Sequence, residues 1–213
     1  PSTEPLLEEL EKSLLQIQSA DVEENIEGMK VFCHELMQVF TGEEEAGRLA
    51  IFARITDDFV SLLVKRARSY FGLVITGRVS STRACKYVLN SLMQVFQSLS
   101  LSQAVLESTL RELLVELLSL LVDPDLPEVE EGTQLLKAVN VLTLKVLENA
   151  KPDYSFSILL SFLRQPTNSF GGKLMSSPKA HSDLVIRCLI KLTKGLPSSI
   201  HTLDKESLLL SIH

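Results

Sequence analysis

The amino-acid sequence predicts an all-α fold, on three observations. Apolar residues recur three and four positions apart along most of the 213 positions, which is typical of amphipathic helices. Breaks that contain Gly, Pro, Ser or Asp divide these periodic segments into separate helices. The helices recur as pairs at intervals of about 40 to 50 residues, close to the period of HEAT and armadillo repeats. We therefore expect one domain over residues 1–213, a HEAT-like stack (α-solenoid) of about four antiparallel helix pairs, with an irregular helical bundle as the alternative.

The first helix pair is predicted at about residues 3–40. Thr3 is the expected N-cap of its first helix, and Pro5 falls in the first turn, where a missing N–H loses no hydrogen bond. The acidic connector Ser19–Glu24 follows. The second helix carries an apolar stripe at the spacing of one helical face, and its members are Met29, Cys33, Leu36, Met37 and Phe40.

The second pair is predicted at about residues 43–99. Thr41 is placed to cap a helix that starts with Glu43–Glu45, where the helix dipole favours carboxylates. This helix is expected to end just before a connector with two glycines, Gly72–Thr82. The only β-like run, Leu73–Thr76, is too short and isolated to form a sheet.

The third pair is predicted at about residues 102–149. Ser100 or Ser102 is the expected cap of its first helix, whose inner stripe is the most regular in the chain. The motif Asp123–Pro127 ends this helix, because it contains two prolines. The stripe consists of Leu106, Leu110, Leu113, Leu114, Leu117, Leu118 and Leu121.

The fourth pair is predicted at about residues 153–196. Between its helices lies Gln165–Ser177, which is rich in Gly, Ser, Pro and Asn and which we expect to be disordered. Ser177 followed by Pro178 is typical of a helix start. A last helix is expected from about residue 203, truncated at the end of the sequence.

Composition and charge exclude several classes of protein. The chain has 21 Lys and Arg against 27 Asp and Glu, and its net charge of −6 argues against a nucleic-acid binder, which needs a basic surplus. The longest apolar stretch, Leu113–Val122, is too short to cross a bilayer, and we recognise no signal peptide. Three cysteines far apart in the sequence indicate free buried thiols in a reducing compartment. We therefore expect a cytoplasmic chain without a membrane partner.

No group of residues with catalytic or metal-binding spacing occurs in the sequence. His34 adjoins Cys33, but neighbouring helical positions point about 100° apart and rarely bind one ion together. Phe170–Lys173 contains two glycines and a lysine, yet it lacks the spacing of a phosphate-binding loop. The acidic runs lie at predicted helix starts, where the helix dipole accounts for them. We therefore predict no enzyme, no catalytic residue, no cofactor and no metal.

Function is expected at the surface, on the connectors within the helix pairs, because these line one edge of a stack of pairs. The first and third connectors are acidic. The second offers Arg78, with Arg83 at the following helix start, and the fourth offers Lys173 and Lys179. These four basic residues are the candidate partner contacts, and ordinary solvated surface is the alternative for each of them.

The segment from Arg111 to Leu163 carries a resemblance to a known family. Its most specific parts are Leu113–Leu118, Asp123–Pro127 and Gly132–Ala150. Together they closely resemble the C-terminal region of the ch-TOG / Minispindles family of microtubule polymerases, beyond the TOG domains of that family. The residues before this segment match less specifically. The resemblance implies a cryptic C-terminal TOG-like domain, a compact array of HEAT-like helix pairs.

The same resemblance implies a non-catalytic interaction domain that acts at the spindle, the centrosome and growing microtubule ends. It implies docking of a TACC-type coiled-coil adaptor through the adjoining C-terminal segment, and weak association with microtubules or tubulin. TOG domains that grip tubulin use a Trp in the first within-pair loop, whereas this chain has no Trp and places Asp21–Glu24 there. Strong tubulin binding by this edge is therefore not expected, because tubulin's surface is acidic. A HEAT-type protein–protein adaptor scaffold unrelated to microtubules is the alternative.

Overall fold

The computed structural model of this chain confirms the all-α class. The structure describes residues 3–40, 45–164, 169–170, 173–174 and 177–199. In this part of the chain, no helix is both long enough and apolar enough to cross a membrane. The helices of the described ranges are α1 (Thr3–Gln18), α2 (Val22–Val39), α3 (Glu45–Ile75), α4 (Arg83–Gln97), α5 (Leu99–Ala104), α6 (Glu107–Leu121), a 3-10 turn (Leu126–Glu128), α7 (Gly132–Asn149), α8 (Pro152–Arg164) and α9 (Pro178–Ser199).

The helices pack in adjacent pairs within two compact units, Pro1–Val105 and Leu106–His213. In the first unit α1 packs on α2 and α3 on α4, while α5 lies against α3 and α4. In the second unit α6 packs on α7 and α8 on α9. Pairing of sequence neighbours through short connectors is consistent with a HEAT-like stack. A single domain over the whole chain stays a prediction.

An aromatic cluster forms the centre of the core in the first unit. The rings of Phe32 in α2 and Phe59 in α3 stack with their centroids 3.5 Å apart, and Phe52 meets Phe32 edge-on at 5.3 Å. All three side chains are fully buried. Because burying one such side chain contributes about 1.5–3 kcal/mol, this cluster fixes α2 against α3.

Leucine side chains dominate the core of the second unit, as the regular stripe in the sequence predicts. Leu113, Leu114 and Leu117 of α6 are buried along one side of that helix. Because a 3.6-residue repeat places them on the same face, α6 packs with α7, α8 and α9. The other helices of this unit contribute the buried residues Leu135, Val139, Leu142, Val146, Ile158, Leu159 and Val185.

The end of α3 differs from the sequence prediction. The helix continues to Ile75, through the first part of the expected connector and through the β-like run that begins at Leu73. Phe71 and Val74 are buried there. One more turn of helix therefore buries additional apolar side chains. The free energy of this burial outweighs the lower helix propensity of the β-branched residues.

The leucine-rich helix predicted from Ser100 or Ser102 is split in the structure. Ser98, and neither of those two serines, caps α5 by accepting from the N–H of Leu101 at 3.4 Å. Val105 is then extended and buried, and Leu106 is extended with a side chain that is 56% exposed. Leu106 therefore does not belong to the inner stripe, which begins at Leu110. The burial of Val105, rather than a helix-breaking residue, accounts for the split.

A short hairpin with two residues in each strand lies between α8 and α9, in the segment that the sequence predicts to be disordered. Strand β1 (Ser169–Phe170) pairs antiparallel with β2 (Lys173–Leu174). The buried ring of Phe170 lies 4.8 Å from the ring of Phe162 and 4.0 Å from the ring of His181. The hairpin is therefore anchored to both helices of its pair.

Three sequence predictions fall on residues that the structure leaves undescribed. They are the cap formed by Thr41 with the first two glutamates of the acidic start, most other positions of Gln165–Ser177, and the helix expected from about residue 203. These stay predictions.

Candidate interaction surface

The described residues contain no group of three or more His, Cys, Asp or Glu side chains that could hold a metal ion. Cys33, Cys85 and Cys188 are all buried. Burial raises the pKa of the Cys85 thiol to about 12 and that of Cys188 to about 11. At neutral pH these thiols are protonated and poorly nucleophilic. His34 is exposed whereas its neighbour Cys33 is buried, so these two side chains do not share a site.

Helix α2 begins at Val22, so the last residues of the first acidic connector, Val22–Glu24, form its first turn. Asp21 caps this helix. Its carboxylate accepts from the N–H of Glu23 at 2.7 Å and from that of Glu24 at 3.2 Å. The charge of Asp21 therefore satisfies backbone donors at the positive end of the helix dipole.

A buried polar network fixes the end of α1 beside this connector. Asn25 Nδ2 donates to three main-chain carbonyl oxygens at 2.8–3.1 Å, and the Tyr70 hydroxyl donates to Asn25 Oδ1. Arg66 of α3 donates to two of the same carbonyls, those of Ile17 and Ser19, at 2.7 and 3.0 Å. Carbonyls at a helix C-terminus lack helical partners and attract cations, so the network holds α1, α2 and α3 at one corner.

The predicted contact Arg83 is the first residue of α4, and it is ion-paired. Its Nη1 lies 2.7 and 2.8 Å from the two carboxylate oxygens of Glu23, and its guanidinium lies 5.4 Å from the ring centre of Tyr87. Lys30 covers the same ring at 5.6 Å and donates to Glu27 at 2.6 Å. The Arg83 and Glu23 side chains are 46% and 69% exposed, and such exposed pairs are easily broken. Arg83 therefore has a carboxylate partner within the fold, while part of its side chain stays open to solvent.

The predicted contact Arg78 lies on the connector between α3 and α4. Its backbone N–H donates to the Leu73 carbonyl at 2.9 Å, which holds the turn, and its side chain is exposed. The structure therefore places Arg78 on the connector and Arg83 at the start of the helix that follows it, and their surroundings differ.

The predicted contacts Lys173 and Lys179 belong to the second unit. Lys173 lies in β2, where its backbone pairs with Phe170, and its side chain lies outside the described residues. Lys179 is exposed in the first turn of α9, next to a cap in which Ser177 Oγ accepts from the N–H of Ala180 at 3.2 Å. Lys173 thus lies on the connection from α8 to α9, and Lys179 lies at the start of α9.

The connector between α6 and α7 is acidic and is held by its backbone. Asp123 Oδ1 accepts from the N–H groups of Asp125 and Leu126 at 2.9 and 3.1 Å, and the Leu126 side chain is fully buried. Glu131 has a φ of 59°, and a Cβ atom on Gly132 would lie 1.9 Å from the Leu126 carbonyl oxygen. The backbone of the connector is therefore fixed in conformation, and it carries several carboxylates. The exposed ones are those of Asp125, Glu128, Glu130 and Glu131.

Each unit also has a groove that is bordered by exposed apolar side chains and that the sequence did not predict. In the first unit a groove of about 490 Å³ is bordered by Met37 and Phe40, which are 60% and 51% exposed. These two members of the apolar stripe predicted for the second helix are therefore left exposed, whereas Met29, Cys33 and Leu36 are buried. In the second unit a groove of about 770 Å³ is bordered by Val141. The sequence carried one sign of this groove: Val141 is an apolar residue that lies outside the apolar face of α7.

Comparisons with known proteins identify relatives of this chain. No family model matches it, and no solved structure matches it. Protein MOR1 of Arabidopsis thaliana is 44% identical over 197 residues, and MOR1 of Oryza sativa subsp. japonica is 43% identical over the same length. Each match covers 90% of this chain. Centrosomal protein 224 of Dictyostelium discoideum is 25% identical over 184 residues, which is 84% of this chain.

The matches cover only 10% of each MOR1 protein and 9% of Centrosomal protein 224. The chain therefore spans about a tenth of the length of these relatives. Because the matches cover most of this chain, they also include residues outside Arg111–Leu163, on which the resemblance in the sequence depends. This chain is homologous to a segment of MOR1 and to a segment of Centrosomal protein 224, in agreement with the resemblance to the ch-TOG / Minispindles family.

Proposed function

We propose that this chain is a non-catalytic interaction domain of a microtubule-associated protein. The homology to MOR1 over 90% of the chain is the observation that carries the proposal. The domain is the cryptic TOG-like domain near the C-terminus of such a protein. It works in the cytoplasm, at the spindle, the centrosome and growing microtubule ends. Its helix pairs form a scaffold, and its connectors and helix faces make the contacts.

Adaptor docking is the main role of this region, and tubulin binding is weak. A TACC-type coiled coil docks through the C-terminal segment that adjoins the domain. The connectors support only weak contact with tubulin, because Asp21 and the α6–α7 connector present carboxylates while Arg83 is paired with Glu23. Arg78, Arg83, Lys173 and Lys179 are the basic side chains of this edge. Homology to MOR1 favours this role over that of a scaffold unrelated to microtubules.

A charge-reversal variant tests the tubulin contact. Arg78→Glu combined with Arg83→Glu should weaken co-sedimentation with microtubules, and the loss should be larger at low salt than at high salt. The matched control is Arg54→Glu combined with Lys65→Glu, which changes the net charge equally at exposed positions of α3. Equal binding by the two variants would remove Arg78 and Arg83 from the tubulin contact.

A pull-down tests the adaptor role. A TACC coiled coil should retain this chain extended by the segment that follows it in its parent protein, and should retain the 213-residue chain less well. If the extended chain binds neither the coiled coil nor microtubules, the proposed function is wrong. The general scaffold then becomes the better description.

A further inference from the structure

A groove in the second unit runs along the seam between α7 and α9. It has a volume of about 770 Å³, and its lining includes Leu136, Val141 and Leu184. A second depression, of about 310 Å³, lies further along the same two helices and is lined by Leu147 and Leu192. The seam therefore has two depressions, one after the other along the same two helices.

The seam is apolar at positions that are open to solvent. Val141 and Leu144 of α7 are 54% and 42% exposed, and they lie one turn apart on that helix. Ile190 of α9 is 48% exposed and shares a helix face with Arg187 and Lys194, since these residues are three or four positions apart. Val141 lines the groove, and Leu144 and Ile190 are exposed on the two helices that border it; exposed apolar side chains beside a groove are typical of a docking surface.

Basic side chains border the seam on both helices. Lys137, Arg187, Lys191 and Lys194 are all exposed. Asp183 is exposed among them, whereas Glu148 accepts from Lys145 at 3.3 Å. The chain as a whole has a net charge of −6, so the surplus of positive charge here is opposite in sign to that of the molecule. The seam therefore complements a ligand that carries carboxylates beside an apolar face.

The length of the seam suits one helix. The two depressions are lined by α9 from Ala180 to Gly195, which at 1.5 Å per residue is about 22 Å. An α-helix of about 15 residues has this length. Its apolar residues, repeated three and four positions apart, would meet Val141, Leu144 and Ile190 along one line.

We propose that the α7–α9 seam binds an amphipathic helix of a partner protein, with Asp or Glu flanking its apolar face. The bound helix adds a further layer to the helix pairs and places its carboxylates against Lys137, Arg187, Lys191 and Lys194. This is the helix-in-groove mode of recognition. The inference goes beyond the proposed function, because it assigns a specific binding surface and a class of ligand that adaptor docking through the adjoining segment and the tubulin contact do not use.

A pair of synthetic peptides of about 16 residues tests the proposal. Both carry leucine along one helical face. One carries glutamate on the flanks of that face, and the other carries lysine. The 213-residue chain should bind the glutamate peptide at least about tenfold more tightly than the lysine peptide, with the difference shrinking at high salt. Amide chemical-shift changes should fall on α7 and α9.

Variants locate the contact. Val141→Glu and Ile190→Glu should each abolish binding of the glutamate peptide, and circular dichroism should show an unchanged fold because both positions are about half exposed. The control is Met37→Glu, the same type of change beside the groove of the first unit, which should leave binding unchanged.

Four results would overturn the proposal. Equal affinity for the two peptides would show non-specific apolar adhesion, and shifts confined to α2 and α4 would place the site elsewhere. A chain that self-associates and that Val141→Glu converts to a monomer would show that a second copy fills the seam. Binding that requires removal of residues 200–213 would show that this segment fills it.

Discussion

The acidic connectors α1–α2 and α6–α7 are held in place by different forces. The first is surrounded by polar side chains, since Asn25 and Arg66 bind the carbonyls that precede it and Asp21 binds the start of α2. The second is held from within, by hydrogen bonds to Asp123 Oδ1, by the buried Leu126 and by the close approach of Gly132 to the Leu126 carbonyl. Polar side chains of α2 and α3 fix the first connector, whereas local hydrogen bonds and close packing fix the second.

The two connectors also differ in what becomes of their charges. Glu23, just after the first connector, meets Arg83 from 60 positions away, so part of the negative charge is neutralised within the fold. The carboxylates of Asp125, Glu128 and Glu130 are exposed. Two acidic segments that are similar in sequence therefore offer a partner different charges. An acidic partner such as tubulin should be repelled more strongly by the second.

The largest expected change in the free energy of unfolding tests whether close packing holds the α6–α7 connector. Gly132→Ala places a methyl group 1.9 Å from the Leu126 carbonyl oxygen, so the connector must rebuild, and the free energy of unfolding should fall by about 2–4 kcal/mol. Urea unfolding measures this loss. The control is Gly72→Ala in α3, where an added Cβ meets nothing within 4 Å and should stabilise by about 0.5–1 kcal/mol. Similar behaviour of the two variants would contradict the packing account.

A somewhat smaller loss should follow from removing the polar network. Asn25→Leu removes three hydrogen bonds to carbonyls and leaves the Tyr70 hydroxyl without its acceptor, which should lower the free energy of unfolding by about 2 kcal/mol. The same unfolding measurement checks this value. Asn90→Leu, at an exposed position of α4, should change it by less than about 0.5 kcal/mol. If Asn25→Leu left the free energy of unfolding unchanged, Arg66 alone would hold the end of α1 in place.

A pH dependence should distinguish the second unit from the first. His181 is buried beside Phe170, and among the described residues its Nε2 has no hydrogen-bond partner. Burial lowers the pKa of His181 in the folded state, whereas the unfolded state binds a proton below about pH 6.5. Folding stability should therefore be complete above that pH and fall as the pH decreases towards the folded pKa.

The measurement for His181 is the Tm of the second unit between about pH 7 and pH 5. His181→Leu should remove most of the decrease in Tm. His34→Leu is the control, because His34 is exposed and should contribute little. An equal decrease in Tm in both variants would show that other groups cause the pH dependence.

The smallest effect on stability, and the most direct test of the charge comparison, comes from Glu23→Gln. The pair with Arg83 is exposed, so the Tm should hardly change. Arg83 loses its carboxylate partner, and if it contacts tubulin, co-sedimentation with microtubules should increase. Glu24→Gln removes the same charge one residue away and should increase it less. An equal increase in both variants would mean that only net charge matters.

The sequence predicted most of the helices but not every exposed face. Periodicity located the helix pairs, because amphipathic spacing reflects burial of one face. It did not predict that Met37, Phe40 and Leu106 are exposed, since a stripe shows that residues share a face and not whether another helix covers it. The hairpin at Phe170 was missed because two residues per strand give no periodic signal.

The candidate contacts were predictable as residue types but not as a surface. Arg78, Arg83 and Lys179 lie on connectors or helix starts, as expected. That Arg83 is paired with Glu23 depends on how α2 and α4 pack, which no local pattern records. The basic seam of α7 and α9 was equally invisible, because its residues come from two helices about 50 positions apart in the chain.

By itself, the amino-acid sequence determined the helical class, the start of most helices and the absence of any catalytic spacing. These follow from local physics: helical periodicity, capping and proline act over a few residues. Only the tertiary structure decided which charges are neutralised, which apolar residues stay exposed and where α5 ends. Those outcomes depend on which distant side chains meet, and burial and ion pairing are set by such contacts.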